Sequence, residues 1–327
     1  MEKMPKNKLL SEYEEGDIVR DIFVVKIKKG ISDYSKGYYF SLVLTDASGK
    51  SMDYKYWGGP DEVRVKQIYD SIKNDSVINI AGAVSSYQGK LQITSNEQHP
   101  IRVLSREEYN EADFIKKSQK NLDESLRELE RYIDRVGNEK LKLLLRSVFD
   151  EEFKSKFQKH PAGVSIHHNW IGGLLEHTLE VLKYCELSKQ LFPKLDLDLL
   201  IVGAVLHDIG KVEEMEMTTK IKRTNLGKFT DHTILGSIFV YNKMNEIGFE
   251  ENLKDKVLHM MVSHHGKIEK GATREPMFPE AVALHYADEM SSRLSEMFNF
   301  IEENQNETDE DFLPKWPKSN FVNVFFR

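Results

Sequence analysis

At 327 residues the chain has room for two domains with separate cores, and 40% hydrophobic with 30% charged residues is the composition of a globular protein in water. The longest unbroken apolar run, Leu199 to Leu206, is far too short to cross a bilayer, and the charged first residues lack the apolar core of a signal peptide. One cysteine, Cys185, excludes an internal disulfide and fits a cytoplasmic location, while a net charge of -7 excludes a general nucleic-acid coat. Residues 1–110 balance 16 Lys+Arg against 16 Asp+Glu, so the acidic excess falls in the remainder.

From Asp17 to Leu104 the pattern has period two, with one helical interruption. Strands are expected at Ile18 to Lys28, Tyr38 to Asp46 and Ser51 to Trp57, then a helix from Asp61 to Ile72, then strands at Val77 to Ser85 and Leu91 to Thr94. Three strands, a helix and two strands is the order of an OB-fold barrel, which often binds single-stranded nucleic acid on strands two and three and their flanking loops. Aromatic and basic residues collect in those places: Lys26, Lys28, Lys29, Tyr34 and Lys36, then Tyr38, Tyr39, Phe40, Tyr54, Tyr56 and Trp57, then Tyr87 and Lys90. Rings that stack on bases beside lysines that meet phosphates are what sequence-tolerant strand binding needs. The expected contacts are Lys28, Lys29, Tyr34, Lys36, Tyr39, Tyr54, Tyr56, Trp57, Tyr87 and Lys90. Strand alternation also sends half of such aromatics into the barrel.

The polar stretch near residues 106–120 is expected to link a barrel domain, 1–105, to a helical domain, 121–311, followed by an aromatic tail, 312–327. Leu122, Leu126, Leu129, Ile133 and Val136 form one helical stripe, and Leu141 to Phe157 reads as a second helix. A buried helix then ends in His207-Asp208-Ile209-Gly210-Lys211, followed by a charged, mobile-looking stretch to Phe229. Further helices begin near Asp231-His232, run from Leu253 into Ser263-His264-His265-Gly266, and span Glu280 to Phe300.

The inward-facing histidines and acids are His177, His207, Asp208, His232, His264 and Asp288. Six nitrogen and oxygen donors on successive helices, without thiolates, point to a hard or borderline catalytic cation rather than structural zinc. Lys211, one turn beyond Asp208, is placed to meet an anion at that metal.

Residues 160–300 resemble the HD superfamily of metal-dependent phosphohydrolases. The motifs occur in order: Gly172-Gly173-Leu174-Leu175-Glu176-His177-Thr178, His207-Asp208-Ile209-Gly210-Lys211, Asp231-His232, Ser263-His264-His265-Gly266 and Ala287-Asp288. With an OB-like domain in front and His167-His168 before the first motif, the chain is similar to the YhaM-type 3′→5′ exoribonucleases. The resemblance implies two divalent ions, typically manganese, with iron, magnesium or cobalt permitted by the donors. His177, His207, Asp208 and Asp288 would hold one ion; Asp208 would bridge to a second, completed by His232 and His264. Asp208, Lys211 and His265 would serve catalysis, His265 as a phosphate contact or further ligand, and His285 would orient Asp288. The Gly-Tyr-Pro signature of cyclic-dinucleotide phosphodiesterases is absent after Gly266.

The expected activity is 3′→5′ hydrolysis of single-stranded RNA, or single-stranded DNA, to nucleoside 5′-monophosphates. The competing readings are a phosphohydrolase of a small or cyclic nucleotide with a regulatory barrel, an inactive RNA-binding module, and a barrel that binds a protein. The rings Phe312, Trp316, Phe321, Phe325 and Phe326 suit packing on their own domain or in a homo-oligomer. No membrane partner is expected.

Overall fold

A computed structural model describes residues 3–164, 168–304, 311–313 and 324–325, apart from the side chain of residue 303. It divides into two compact units, Met1–Lys117 with Met217–Lys220, and Ser118–Glu216 with Ile221–Arg327.

The first unit is a five-stranded barrel. Strands β1 (Ile18–Tyr34), β2 (Gly37–Thr45) and β3 (Ser51–Trp57) form an antiparallel meander. Helix α1 (Glu62–Ser71) precedes the hairpin of β4 (Val77–Tyr87) and β5 (Lys90–Asn96). β5 runs parallel to β3, and β4 returns to the first half of β1, from Ile18↔Ala83 to Val24↔Val77, which closes the barrel. This is the OB-fold order expected from the period-two pattern. β1 serves both neighbours because its register shifts between Val25 and Ile27 and between Lys28 and Ile31, so one strand bends around the barrel. It therefore extends six residues beyond the expected end at Lys28, and Lys29 and Tyr34 are strand residues rather than loop residues.

Alternation divides the aromatics. Phe40, Leu42 and Leu44 of β2 and Met52, Tyr54 and Tyr56 of β3 fill the core with Val65 and Ile72, from α1 and its end. Asp61 caps α1 by accepting from the backbone N–H of Arg64. Residues 106–117 of the expected linker are part of this unit. After β6 (Arg102–Val103), the side chains of Leu104, Tyr109 and Phe114 pack on Ile22, Val24 and Val77. Apolar residues at those positions close the outer side of the β1–β4 pair.

The second unit is helical. Its elements are α2 (Leu122–Arg135), α3 (Glu139–Val148), α4 (Glu151–Lys159), α5 (Gly173–Leu191), α6 (Leu197–Leu206) and α7 (Lys211–Glu214). A hairpin of β7 (Met215–Met217) and β8 (Ile221–Arg223) follows, then α8 (Asn225–Phe229), α9 (His232–Ile247), α10 (Glu251–Ser263) and α11 (Pro279–Asn304). Residues 141–157 form two helices rather than the single one expected. Asp150 accepts from the N–H of Phe153 and starts a new helix, which turns Phe149 onto Phe153 and Phe157. The stretch after Lys211 is ordered through the hairpin and α8, where it was expected to be mobile.

α6 is central: every residue from Leu199 to Leu206 is buried, with α5, α3, α10 and α11 packed around it. A helix apolar on all sides needs such a jacket. Beyond α11, β9 (Phe312–Leu313) pairs with β10 (Val324–Phe325), and Leu313 and Val324 pack on Met297, Phe300 and Ile301. Phe312 and Phe325 pair at 5.2 Å; Trp316, Phe321 and Phe326 lie outside the described residues. Among the described residues no helix is long and apolar enough to cross a membrane.

Candidate metal centre

Five segments converge at the end of α6. His177 points inward from the first turns of α5, and His207-Asp208 follow the last residue of α6. His232 opens α9, where Asp231 caps the helix through the N–H of Thr233. His264 follows α10, and Asp288 lies on α11. The turn after Asp208 must approach α9 closely. A Cβ at Gly210 would lie 2.0 Å from the carbonyl oxygen of His232, so only glycine fits there.

The two oxygens of Asp208 address different histidines. Oδ2 lies 3.2 Å from Nε2 of His207 and 3.4 Å from Nε2 of His177, which in turn lies 3.1 Å from Oδ1 of Asp288. Oδ1 lies 3.3 Å from Nε2 of His232 and 3.7 Å from Nε2 of His264. All six residues expected as ligands are thus brought together. Asp208 Oδ1, His232 Nε2, His264 Nε2 and His265 Nδ1 are buried without a hydrogen-bond partner. Buried polar atoms are rarely left so, and a divalent cation takes imidazole and carboxylate donors of this kind. The donor set therefore fits a metal.

Each of these histidine rings is also held from behind. His207 Nδ1 donates to the carbonyl of Ala204 at 2.8 Å and His264 Nδ1 to that of Met261 at 2.6 Å. His232 Nδ1 lies 3.3 Å from Oε2 of Glu214 and 3.4 Å from Oδ1 of Asp231. His177 Nδ1 meets Ser291 Oγ at 2.9 Å. These contacts leave the Nε2 atoms facing the centre.

The electrostatics are those of a cation site. Burial opposes the charged forms of His177 and His232, but Asp208 with Asp288, and Asp208 with Glu214, outweigh it and raise both imidazoles to about 9. Burial likewise opposes ionisation of Asp208 and Asp288. Lys211 and His207 nonetheless hold Asp208 well below the usual range, and His177 does the same for Asp288. His264 is pushed down, first by burial and then by the neighbouring imidazoles of His265 and His207.

The centre opens on a cavity of about 470 Å³, within the range of small-ligand pockets. Lys211 lines it with Nζ 2.6 Å from Oδ2 of Asp208. His265 lines it too, and its ring can offer a donor within 4.8 Å of those of His232 and His264. Glu214, Arg223 and Lys270, not expected from the sequence, also line the cavity. Glu214 carried one signal, its place on the helical turn that Lys211 begins. Arg223 and Lys270 come from segments with no motif. One expectation is corrected in its detail. His285 does not orient Asp288; its Nδ1 lies 2.8 Å from the carbonyl oxygen of His264. Glu176 is buried and accepts from Trp170 Nε1 at 3.3 Å.

The expected nucleic-acid residues of the barrel divide in two. Tyr39 and Trp57 lie on the outer face with Tyr34, their ring centroids 4.7 to 6.1 Å apart. Lys55, two residues before Trp57 and so on the same face, lies 4.3 Å from the Tyr39 ring and 4.4 Å from the Trp57 ring. Lys36 is exposed at the β1–β2 turn and Tyr87 and Lys90 at the β4–β5 hairpin, while Lys29 pairs with Asp53. Tyr54 and Tyr56 are core residues, 0% and 1% exposed, and cannot meet a strand. Lys28 is also withdrawn. Its Nζ donates to the carbonyls of Tyr69 and Ile72 at the end of α1, each at 2.6 Å, and lies over the Tyr69 ring. A groove of about 550 Å³ borders Trp57, lined by Arg20, Gly82, Asn96 and His99.

Residues 174–293 match the family model described as HD domain. The helical unit carries an HD domain. An HD domain indicates a metal-dependent phosphohydrolase, and the match spans α5 to α11, the elements that supply all six expected ligands. Among solved structures, the HINb domain of p204 is 17% identical with a TM-score of 0.22, covering 31% of this chain and 47% of that one. A replication protein A heterotrimer bound to ssDNA is 18% identical with a TM-score of 0.19, covering 30% of this chain and 64% of that one. The chain thus spans about half of the first and under two thirds of the second.

Proposed function

We propose that this protein is a 3′→5′ exoribonuclease that shortens single-stranded RNA, with single-stranded DNA as its competitor substrate, and releases nucleoside 5′-monophosphates. The observation that carries the reading is the divided environment of Asp208, whose two oxygens each face a separate pair of histidines. One face, with His177, His207 and Asp288, suits a first ion; the other, with His232 and His264, suits a second, and His265 lies beside it. Manganese is the first candidate, and iron, magnesium and cobalt accept the same donors. Bound there, divalent ions supply the Lewis acidity that activates water near neutral pH and clamps a phosphate oxygen.

The chain's own residues do the rest. Lys211, within the cavity, neutralises charge that develops on the phosphoryl oxygens, and His265, which lines the same cavity, adds a second donor. Water adds across the P–O3′ bond: the new P–O bond leaves phosphate on the 5′ carbon of the released nucleoside, and the shortened strand keeps its 3′ hydroxyl. The Tyr34, Tyr39 and Trp57 rings with Lys55 retain the strand by stacking and phosphate attraction. The half-buried aromatic platform on the barrel's outer face favours this reading over a phosphohydrolase of small nucleotides, which needs no stacking surface.

The test is a time course with 5′-labelled single-stranded RNA and its DNA counterpart, in manganese, in magnesium and in chelator. A metal-dependent ladder shrinking from the 3′ end is the expected result, and the two rates give the sugar preference. No shortening with any metal, together with turnover of mononucleotides or cyclic nucleotides, would replace it with the small-nucleotide reading.

A further inference from the structure

A histidine that offers Nε2 to a metal must carry its proton on Nδ1 and place that proton on an acceptor. His207 and His264 use the carbonyl three residues back, a partner that the end of a helix provides. His232 uses the carboxylates of Glu214 and Asp231. His177 lies inside α5, where those carbonyls are engaged in the helix. Its partner comes from another helix.

We propose that Ser291 and Glu180 are positioning residues, a hydroxyl and a carboxylate in series that fix the ring of His177 for its ion. His177 Nδ1 donates to Ser291 Oγ at 2.9 Å, and Ser291 donates to Oε2 of Glu180 at 2.8 Å. A hydroxyl that accepts from one side and donates to a carboxylate on the other is polarised, which strengthens both bonds. Ser291 is 2% exposed and sits one turn beyond Asp288, so α11 supplies both a ligand and the support of another ligand. Glu180 sits one turn beyond His177 on α5.

Glu180 is itself fixed. Oε2 lies 3.1 Å from Nε2 of His168, and Oε1 lies 3.4 Å from Nζ of Lys120. His168 is 1% exposed and holds a backbone φ of 45°, in the left-handed region. Its carbonyl oxygen presses on α5 so closely that a Cβ at Gly173 would come within 2.0 Å of it. The loop is thereby locked against the helix that carries both His177 and Glu180. The histidine before the first motif thus acts through Glu180 rather than as a ligand.

The inference rests on the metal centre proposed above and is tested on metal binding rather than turnover. Manganese titrations, followed by electron paramagnetic resonance and calorimetry, would compare the full-length chain with Ser291→Ala and Glu180→Ala. Thermal melts of the metal-free proteins would show that each variant folds. The expected result is two ions in the unchanged chain. In Ser291→Ala one of them weakens by about 10–100-fold while the other keeps its affinity. Glu180→Ala weakens the same ion by a smaller factor, because the hydroxyl remains. Loss confined to one of two ions is a signature that a general packing defect does not give. Should Ser291→Ala fail to fold, Glu180→Ala, at a half-buried helical position, carries the test. Variants that hold both ions as tightly as the unchanged chain, or that lose both equally, would overturn the relay. An unchanged chain that takes up no manganese would overturn the metal centre itself and the relay with it.

Discussion

Lys211 Nζ lies 2.6 Å from Oδ2 of Asp208, the oxygen that faces His177 and His207. One carboxylate is therefore shared between a lysine and four imidazoles, and it is the single side chain on which both halves of the centre depend. Asp208→Ala is expected to lose both ions and all metal-dependent cleavage while single-strand retention by the barrel stays unchanged. Metal analysis, the labelled-strand time course and a low-salt shift assay read the three properties separately. Full cleavage by the variant would remove the centre from consideration.

Lys211→Ala separates ion binding from charge stabilisation. With the lysine gone, Asp208 loses a competing cation, so metal is held at least as tightly as before. The rate should still fall by about 10²–10³-fold, the usual loss when one donor to a developing oxyanion is removed. Single-turnover kinetics at saturating metal would show it.

Trp57→Ala is expected to weaken single-strand binding by about 1–3 kcal/mol, the worth of one stacked base, with little effect on folding. Tyr56→Ala, one residue earlier, should instead destabilise the barrel by about 3–5 kcal/mol, because a ring 1% exposed leaves a cavity in the core. Chemical denaturation beside strand-binding titrations distinguishes the two. Equal behaviour of both variants would contradict the face assignment.

Glu180 gives the acid limb of stability a specific contributor. Burial works to raise its carboxyl, but His168, Ser291 and Lys120 outweigh it and hold the group at about 2, below its ordinary 4.5. A depressed carboxylate stabilises the folded state above its unfolded pKa and loses that contribution as pH falls through the folded one. The contribution is therefore complete above about pH 4.5 and fades toward pH 2. Denaturation midpoints of the metal-free protein should fall less steeply with acid across that window in Glu180→Ala.

Cys185 is 1% exposed on α5, and burial, with Asp288 nearby, pushes its thiol up to about 12. It is expected to resist thiol reagents at pH 8 in the native protein and to react at once in denaturant. Rapid labelling without denaturant would show that α5 opens locally.

The sequence by itself determined what local periodicity and spacing can encode. Period two with one helical break gave the OB order, and the candidate ligands stood out because each flanks or faces an apolar helical run, as His207-Asp208 flank α6. Pairings between distant segments were not legible. Alternation shows that Tyr39 and Trp57 share one side of their strands and Tyr54 and Tyr56 the other, yet which side is core depends on how the barrel closes through β3 and β5. Lys28 reads as a free cation until the end of α1 meets it. Tyr109 and Phe114 read as connector because their apolar partners lie on strands far earlier in the chain. Ser291 and Glu180 carry no motif at all, since a hydroxyl on α11 supports a histidine on α5 only once the two helices pack together. Spacing along the chain records which donors are available; the partner of each donor is decided by packing, because hydrogen bonds and burial act over a few ångströms in space and not along the sequence.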